Sequence, residues 1–438
     1  FRAIQEARID LNGITVLTGL NATGKSTIGR MMYYTGYYAS HYSRLLDDYL
    51  SRRMGGISEY LKNYFNSLPE PVKFDLLVKG YVFSHKPFAE ADAYVIIDEL
   101  KAYYEGGAQV KSLDRERLGK VLGRQIKSRS SFFVGLRDLR DLVEVTYKEY
   151  NRLIHERPPL FLRNRLNELF NTSNETLMKS LVVKEGTEEI ISPIRKNIGV
   201  FSTFDSVFYI DTPMIANFPG ELPSGILDQN WEELIRIFYD GSTRPLEPKE
   251  EEVVEKLVQI THGTIELPAK DQEGTMRTRK ILFKEADGQS YPLKEVATGI
   301  KSFALIQSLL LKGRLSKNTL LIINEPEAHL HPQWVVEYAR MITLLNRELG
   351  VRFLLATHSP KLVQTLYLLA EDEDQEEPTL KFYLSERSAT DNPSAYRFRE
   401  LTDEEGIEPI FACFNTAYDL MGTYVEAVSY THLSCRRR

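Results

Sequence analysis

The segment Gly19-Leu20-Asn21-Ala22-Thr23-Gly24-Lys25-Ser26 has the spacing G-x-x-x-x-G-K-[ST], and Thr27 follows it directly. Glycines at those two places let the backbone curl so that its N–H groups point at phosphate oxygens. The positive end of a following helix dipole adds to the attraction. A lysine at position 25 can reach the β- and γ-phosphates of a nucleotide, and the Ser26 hydroxyl can complete a magnesium shell made otherwise of phosphate oxygens and waters. The expected binding set is Gly19, Asn21, Ala22, Thr23, Gly24, Lys25, Ser26 and Thr27, with ATP and Mg²⁺ as ligands. A chance match in a strand-loop-helix joint is the bland alternative, and the flanking residues argue against it.

Two further segments carry chemistry. Leu320-Leu321-Ile322-Ile323-Asn324-Glu325-Pro326 reads as a buried strand ending in polar residues, where a parallel sheet presents groups to a ligand. Glu325 is the candidate general base, because a carboxylate near a γ-phosphate can orient and deprotonate water. The competing reading makes Glu325 a cap for a helix starting near Pro332. Arg352 to Ala356 forms a second strand ending at Thr357-His358-Ser359-Pro360, and His358 can hydrogen-bond a γ-phosphate or the lytic water. A purely structural histidine is the alternative. Between these strands and the loop, Thr298 and Gly299 open an apolar-periodic helix through Leu311, where exposed N–H groups and a hydroxyl could grip an anion or merely cap the helix.

The elements that would hold these residues alternate. Ile4, Ala7, Ile9 and Leu11, then Ile14 to Leu17, read as two short strands joined by the turn at Asn12-Gly13. A helix follows from Ser26 to about Tyr42. Residues 43–198 change to long amphipathic stretches rich in Leu, Arg, Lys and Glu, a mainly helical insertion. A strand-like run returns at 207–210, then β-rich segments at 263–267 and 279–283 joined by a polar turn around Asp271 to Gly274. Helix and strand alternate at 298–312, 319–323, 332–348, 351–357, 360–370 and 380–384. Strands alternating with helices predict a mostly parallel α/β sheet. An acidic loop is expected at Glu371 to Glu377.

Bulk composition excludes more than it selects. The 438 residues are 42% hydrophobic and 26% charged with a net charge of -6, an ordinary globular balance. Charge gives no global argument for nucleic acid, while a local basic patch stays open. Two cysteines, Cys413 and Cys435, exclude a disulfide scaffold and a four-cysteine zinc site. No stretch approaches the ~18 apolar residues of a membrane span and no signal segment opens the chain, so a cytoplasmic protein is expected. The start at Phe1 lacks Met, and Val428 to Leu433 resembles a library adaptor read in one frame. Residues 427–438 are therefore expected to be an adaptor-derived tail, with a lost C-terminal domain as a corollary and a real basic tail as the alternative.

Taken in order, these segments resemble the ABC-type ATPases, particularly the soluble prokaryotic branch that includes SMC, RecF and the overcoming-lysogenization-defect nucleases. Asn324-Glu325-Pro326-Glu327-Ala328-His329-Leu330-His331-Pro332 resembles its long Walker B and D-loop, His358 its switch histidine, and Thr298-Gly299 its signature serine and glycine. The resemblance covers about 1–40 and 200–420. It implies an ABC-type P-loop fold with a mostly parallel sheet, an antiparallel β subdomain and a largely helical insertion. The implied domains are 1–42 with 199–426 for the ATPase and 43–198 for the insertion. It also implies a homodimer with two ATPs at its interface and Thr298 and Gly299 acting in trans. Three departures stand out: Asn324 replaces the family's aspartate, the signature is shortened to Ala-Thr-Gly-Ile-Lys, and no magnesium-sensing glutamine is assigned. An amide oxygen at 324 would hold a metal-bound water without adding negative charge, so slower turnover is expected.

Three roles remain open. The first is Mg²⁺-dependent ATP hydrolysis serving DNA maintenance, DNA repair or anti-phage defence. In the second, the chain is the ATPase subunit of a nuclease system whose nuclease is a partner or missing domain. The third is an ATP-gated interaction switch with little hydrolysis. The basic stretch Lys111 to Arg140, with Arg124, Lys127, Arg129, Arg137 and Arg140, could contact nucleic-acid phosphates. A solvated helix face laced with Glu and Asp is the plainer reading. Tyr33, Tyr34, Tyr37, Tyr38 and Tyr42 follow helical spacing, as packing residues do more often than base-stacking platforms.

Overall fold

A computed structural model describes residues 3–67, 70, 73, 89–171, 180–217, 228–239, 244–267, 281–371, 380–388 and 395–415. The expected adaptor-like tail at 427–438, the turn at Asp271 to Gly274 and nearly all of the acidic loop at 371–377 lie outside the described residues. Contacts divide the chain into two compact units. Phe1–Ser40, Leu166–Lys179 and Phe201–Arg438 make one, and His41–Arg165 with Ser180–Val200 makes the other.

In chain order the described strands are β1 (Ile4–Ala7), β2 (Ile14–Thr18), β3 (Val183–Glu185), β4 (Glu188–Ile191), β5 (Ser206–Ile210), β6 (Gly263–Glu266), β7 (Leu282–Glu285), β8 (Ser290–Pro292), β9 (Thr319–Asn324), β10 (Arg352–Ala356), β11 (Leu380–Arg387) and β12 (Tyr396–Glu400). The first unit is built on a seven-stranded sheet of order β1-β12-β11-β2-β10-β9-β5 among the described residues. Every pairing in it is parallel except β11 with β12. The central strands β2 and β10, with β9 beside them, are near-continuous buried apolar runs, as expected where helices cover both faces of a parallel sheet.

The turn at Asn12-Gly13 does not pair the two strands it joins. β1 pairs with β12, and β2 lies between β11 and β10. Burial explains the separation: all five residues of β2 are buried and suit the sheet centre, whereas β1 exposes Gln5, Glu6 and Ala7 and takes an edge. A smaller antiparallel sheet, β6-β7-β8, forms the β subdomain. Its second strand begins at Leu282, three residues later than the apolar pattern at 279 suggested.

The helix Lys25–Ser40 lies close on the seven-stranded sheet because it presents glycine there. A Cβ on Gly36 would sit 2.7 Å from Val207 Cγ2 of β5. Tyr33, Tyr34, Tyr37 and Tyr38 on the same helix are buried, with the Tyr33 ring 6.0 Å from Tyr209 and its hydroxyl donating to Glu233 Oε2 at 3.0 Å. They are packing residues and offer no stacking surface. The helix Pro332–Leu349 starts with proline at its first turn behind His331 as N-cap and stops at Gly350, whose φ of 69° continues no helix.

The second unit is mainly helical. Tyr42–Ser67, Glu90–Glu105, Ser112–Leu122 and Arg129–Glu156 bury Met54, Leu61, Ile96, Leu100, Phe132 and Leu139 in one core. A reciprocal capping box opens the longest helix: Ser128 Oγ accepts from Ser131 N at 3.1 Å, and Ser131 Oγ accepts from Ser128 N at 2.9 Å. The hairpin of β3 and β4, turning at Gly186, was not legible among the helical patterns because its strands are only three and four residues long. Among the described residues no helix is long and apolar enough to cross a membrane.

Candidate nucleotide site

The loop after β2 curls through left-handed backbone at Gly19 (φ 128°), Ala22 (φ 62°) and Gly24 (φ 104°) before the helix begins at Lys25. At Gly19 space as well as φ excludes a side chain, since a Cβ would overlap Ser385 Oγ of β11. Thr23 is buried and donates its hydroxyl to Leu20 O at 3.0 Å, which braces the curl from inside. Asn21 and Ala22 are exposed at the loop tip, while Ser26 and Thr27 are half-buried in the first helical turn.

Lys25 is 7% exposed and folds back on the loop, its Nζ donating to Gly19 O at 2.9 Å and Leu20 O at 2.6 Å. Burial pulls its pKa down, and Glu325, Glu327 and Cys413 oppose that by favouring the charged form. The ammonium is therefore held by backbone carbonyls within electrostatic reach of two carboxylates from the end of β9.

Those carboxylates are placed by one tight reversal. Glu325 N donates to Ala356 O at 2.7 Å, extending the β9–β10 ladder by one rung beyond the Ala356–Asn324 pair. The chain then turns through Glu325 at φ 50° and His329 at φ 64°. Left-handed backbone at a non-glycine residue costs on the order of 1 kcal/mol and persists where the surroundings impose it. The turn is closed by Ala328 N to Glu325 O at 2.8 Å and Leu330 N to Glu327 O at 3.1 Å. The helix that follows is capped by His331, so Glu325 is not its cap.

Glu327 is the residue that sequence reasoning passed over. Its Oε1 accepts from the Thr357 hydroxyl at 2.7 Å and from His358 N at 2.9 Å, and lies 3.4 Å from His358 Nδ1. Its side chain is 9% exposed, against 45% for Glu325, which stands 4.0 Å from the same imidazole nitrogen. Thr357 N donates to Leu17 O at 2.9 Å, tying this cluster to the strand that feeds the phosphate loop. The available signal was a second carboxylate two residues after Glu325, across Pro326, at the mouth of a reversing turn.

Asn324 ends β9 with its Oδ1 buried and without a hydrogen-bond partner among the described residues. Such an atom suits a water on a nucleotide-borne Mg²⁺, since an unmet buried acceptor costs roughly 1–3 kcal/mol until something donates to it. Among the described residues no group of three or more His, Cys, Asp or Glu is arranged to hold a metal ion alone. The residues present thus fit a metal carried largely by phosphate oxygens and waters.

Thr298 begins the helix Thr298–Leu311, and its N-cap, Ala297, makes no side-chain cap bond. Gly299 faces the reversal after Glu327: a Cβ there would lie 3.1 Å from Leu330 Cδ2 and 3.6 Å from His329 O. Lys301 is buried, donates to Lys294 O at 2.9 Å, and has its pKa lowered by burial. The described contacts gather Glu325, Glu327, Thr357 and His358 into one cluster, tie it to β2 through Thr357 N and Leu17 O, and join Gly299 to it through His329 and Leu330; Lys25 stays bound to the loop carbonyls of Gly19 and Leu20.

In the helical unit, Arg124 pairs with Asp138, and Arg140 meets Asp98 at 2.7 Å with its guanidinium 4.3 Å from the Tyr94 ring. Arg129 donates to Tyr104 O. Lys127 and Arg137 are exposed.

A family model described as "AAA domain, putative AbiEii toxin, Type IV TA system" matches residues 82–364, a span containing Thr298, Gly299, Asn324, Glu325 and His358. Among solved structures, a Smc head bound to the C-winged helix domain of ScpA is 14% identical, with 50% of this chain and 59% of that chain covered and a TM-score of 0.29. The SMC head domain from Thermotoga maritima is 10% identical, with coverages of 39% and 52% and a TM-score of 0.25. A Smc head with an extended coiled coil from Pyrococcus furiosus, bound to the C-terminal domain of ScpA, is 12% identical, with coverages of 91% and 64% and a TM-score of 0.26. The chain thus spans between 52% and 64% of those three chains. No curated protein sequence matches it. With well over half of its residues inside the matched span, and with an acidic strand end and a strand-end histidine beside a phosphate-type loop, the chain belongs to this AAA-domain family of P-loop ATPases.

Proposed function

We infer that the chain binds ATP in the curl of residues 19–27 and hydrolyses it with Mg²⁺. The observation that supports this most is that the curl closing on Lys25 leaves β2, whose Leu17 O accepts from the N–H of Thr357, the residue that joins Glu327 and His358 at the carboxyl edge of β10 and β9. With nucleotide bound, Lys25 exchanges its two loop carbonyls for β- and γ-phosphate oxygens, and loop N–H groups from Asn21 to Thr27 complete the cradle. Ser26 would help hold the Mg²⁺ and Asn324 would accept a hydrogen bond from a water on it, the metal supplying charge to offset the phosphates. Glu325, the more exposed carboxylate, takes a proton from water as its oxygen attacks the γ-phosphorus. The bond between that phosphorus and the β–γ bridging oxygen breaks, and ADP leaves with the electron pair. His358 donates a hydrogen bond to the γ-phosphate and stabilises the charge that develops there.

Thr298 and Gly299 complete the site in trans, in a homodimer that sandwiches two nucleotides. Gly299 packs on the turn that carries Glu327, so closure over a partner's nucleotide would be felt at the carboxylates of the same chain. The cellular role that fits best is anti-phage defence or DNA maintenance in the cytoplasm, alongside an effector such as a nuclease. The matching family's description reads "putative AbiEii toxin, Type IV TA system". Direct DNA contact by the Lys111–Arg140 stretch has weaker support, because Arg124, Arg129 and Arg140 are engaged within their own unit. Asn324 favours a second reading, an ATP-gated switch with little turnover, since the strand end brings no charge to the metal.

Steady-state ATP turnover with Mg²⁺, with and without double-stranded DNA, separates these readings when run on the chain beside Glu325→Gln and Lys25→Ala. Turnover that needs both residues supports the ATPase. Binding through Lys25 without Glu325-dependent hydrolysis moves the function to the switch.

A further inference from the structure

The geometry points to Glu327 as the positioning residue that makes His358 a reader of the nucleotide's third phosphate. Its Oε1 accepts from the Thr357 hydroxyl and the His358 N–H and lies 3.4 Å from His358 Nδ1, so one carboxylate oxygen anchors the backbone of the residue proposed to meet the γ-phosphate and stands beside its ring. This inference rests on the nucleotide site proposed above and assigns a task within it that neither Glu325 nor the phosphate loop performs.

Three observations carry it. The contacts of Oε1, at 2.7, 2.9 and 3.4 Å, all go to two consecutive residues after β10, more than a helix-capping or solvated glutamate needs. Charge-assisted bonds of this kind are about twice as strong as neutral ones, and they are strongest where the carboxylate is buried as here. The second oxygen, Oε2, is also buried and has no hydrogen-bond partner among the described residues. A structural clamp alone would be served by glutamine, whose amide would leave no charged oxygen without a donor. Retaining a carboxylate with one oxygen uncompensated, within electrostatic reach of Lys25, indicates that its charge is used. Finally, Thr357 is held from the other side by Leu17 O, so Glu327 locks the strand-end histidine to the strand that enters the phosphate loop. Displacement of Glu327 would let His358 turn without disturbing either strand.

The consequence is selectivity. A histidine held on the γ-phosphate favours a triphosphate over ADP, which lacks that group, and a loosely held one favours it less. Isothermal titration with Mg²⁺ and either AMP-PNP or ADP gives the affinity ratio without requiring turnover. For Glu327→Gln, which keeps an acceptor for Thr357 and is nearly isosteric, the AMP-PNP-over-ADP ratio is expected to fall about fivefold or more. His358→Ala is expected to fall as far, and the double variant no further, because both changes remove one interaction. Thr357→Val, which leaves the carboxylate in place and removes one of its anchors, supplies an independent probe and is expected to lower the ratio in the same direction. An unchanged ratio in Glu327→Gln and Thr357→Val, or losses that multiply in the double variant, would overturn the assignment. Lys25→Ala separates the two claims. If it abolishes binding of both nucleotides while Glu327→Gln keeps the native ratio, only the role of Glu327 falls. If Lys25→Ala binds both as the native chain does, the nucleotide site falls and Glu327 with it.

Discussion

The ammonium of Lys25 and the carbonyl of Gly19 are hydrogen-bonded at 2.9 Å, so the cation proposed to meet phosphate is held by its own loop. In the proposed site, ATP would replace two such bonds, at Gly19 and Leu20, with bonds to phosphate oxygens. Lys25→Ala is therefore expected to lower ATP affinity at least tenfold, roughly the contribution of one charge-assisted contact, and to abolish turnover. Fluorescence titration with a labelled ATP checks the first and phosphate release the second.

Lys25 also has a stability signature. Burial lowers its folded pKa below the ordinary lysine value, so between those two pH values the unfolded chain holds the proton that the folded chain has lost. Unfolding free energy from this residue therefore rises as pH increases through that window, and the cost of burying the charge applies in full below it. Melting temperatures of the native chain and Lys25→Met, recorded from neutral to alkaline pH, are expected to differ in slope, with the variant lacking the rise. Parallel curves would remove Lys25 from the explanation.

Asn324→Asp adds a charge where the strand end offers an amide oxygen with no hydrogen-bond partner among the described residues. Half-saturating Mg²⁺ in ATP turnover is expected to drop several-fold, with a faster maximal rate, since a carboxylate binds a metal-bound water more strongly than an amide does. Unchanged magnesium dependence and rate would refute the account of slow turnover given for Asn324.

Gly299 has little room. Gly299→Val would place branched carbons against Leu330 and the His329 carbonyl, and is expected to destabilise the chain by about 1–3 kcal/mol through overpacking. The dimer has a separate test. Glu325→Gln with ATP and Mg²⁺ should elute as a dimer in size-exclusion chromatography with light scattering, whereas Glu325→Gln combined with Thr298→Arg should stay monomeric.

The parts of the site legible in the sequence were those built from consecutive residues. The loop from Gly19 to Ser26 declares itself because one short segment supplies backbone, cation and hydroxyl. β9 and β10 declare themselves because strands buried on both faces must be continuously apolar. What escaped was pairing over long distances. Nothing in Ile4 to Ala7 says that its partner is Tyr396 to Phe398, and the nearby turn at Gly13 pointed to a hairpin instead. Glu327 escaped for the same reason, since its partners Thr357 and His358 lie about thirty residues onward and meet it only once β9 and β10 are in register. Thr298 is a milder case: its hydroxyl could have been a cap, and only the helix start at Thr298, with Ala297 before it, removes that role.

The left-handed turn at Glu325 has a bearing on how variants of this chain would fare under selection. At φ 50° a glycine would be more comfortable than a glutamate, so Glu325→Gly relieves backbone strain while deleting the proposed base. A library sorted only for thermal resistance or soluble yield would therefore tend to accumulate glycine at 325, enriching well-behaved chains that no longer turn over. Screens on this scaffold need a catalytic readout in the same round, because at this position the best-folded sequence and the working one are different sequences.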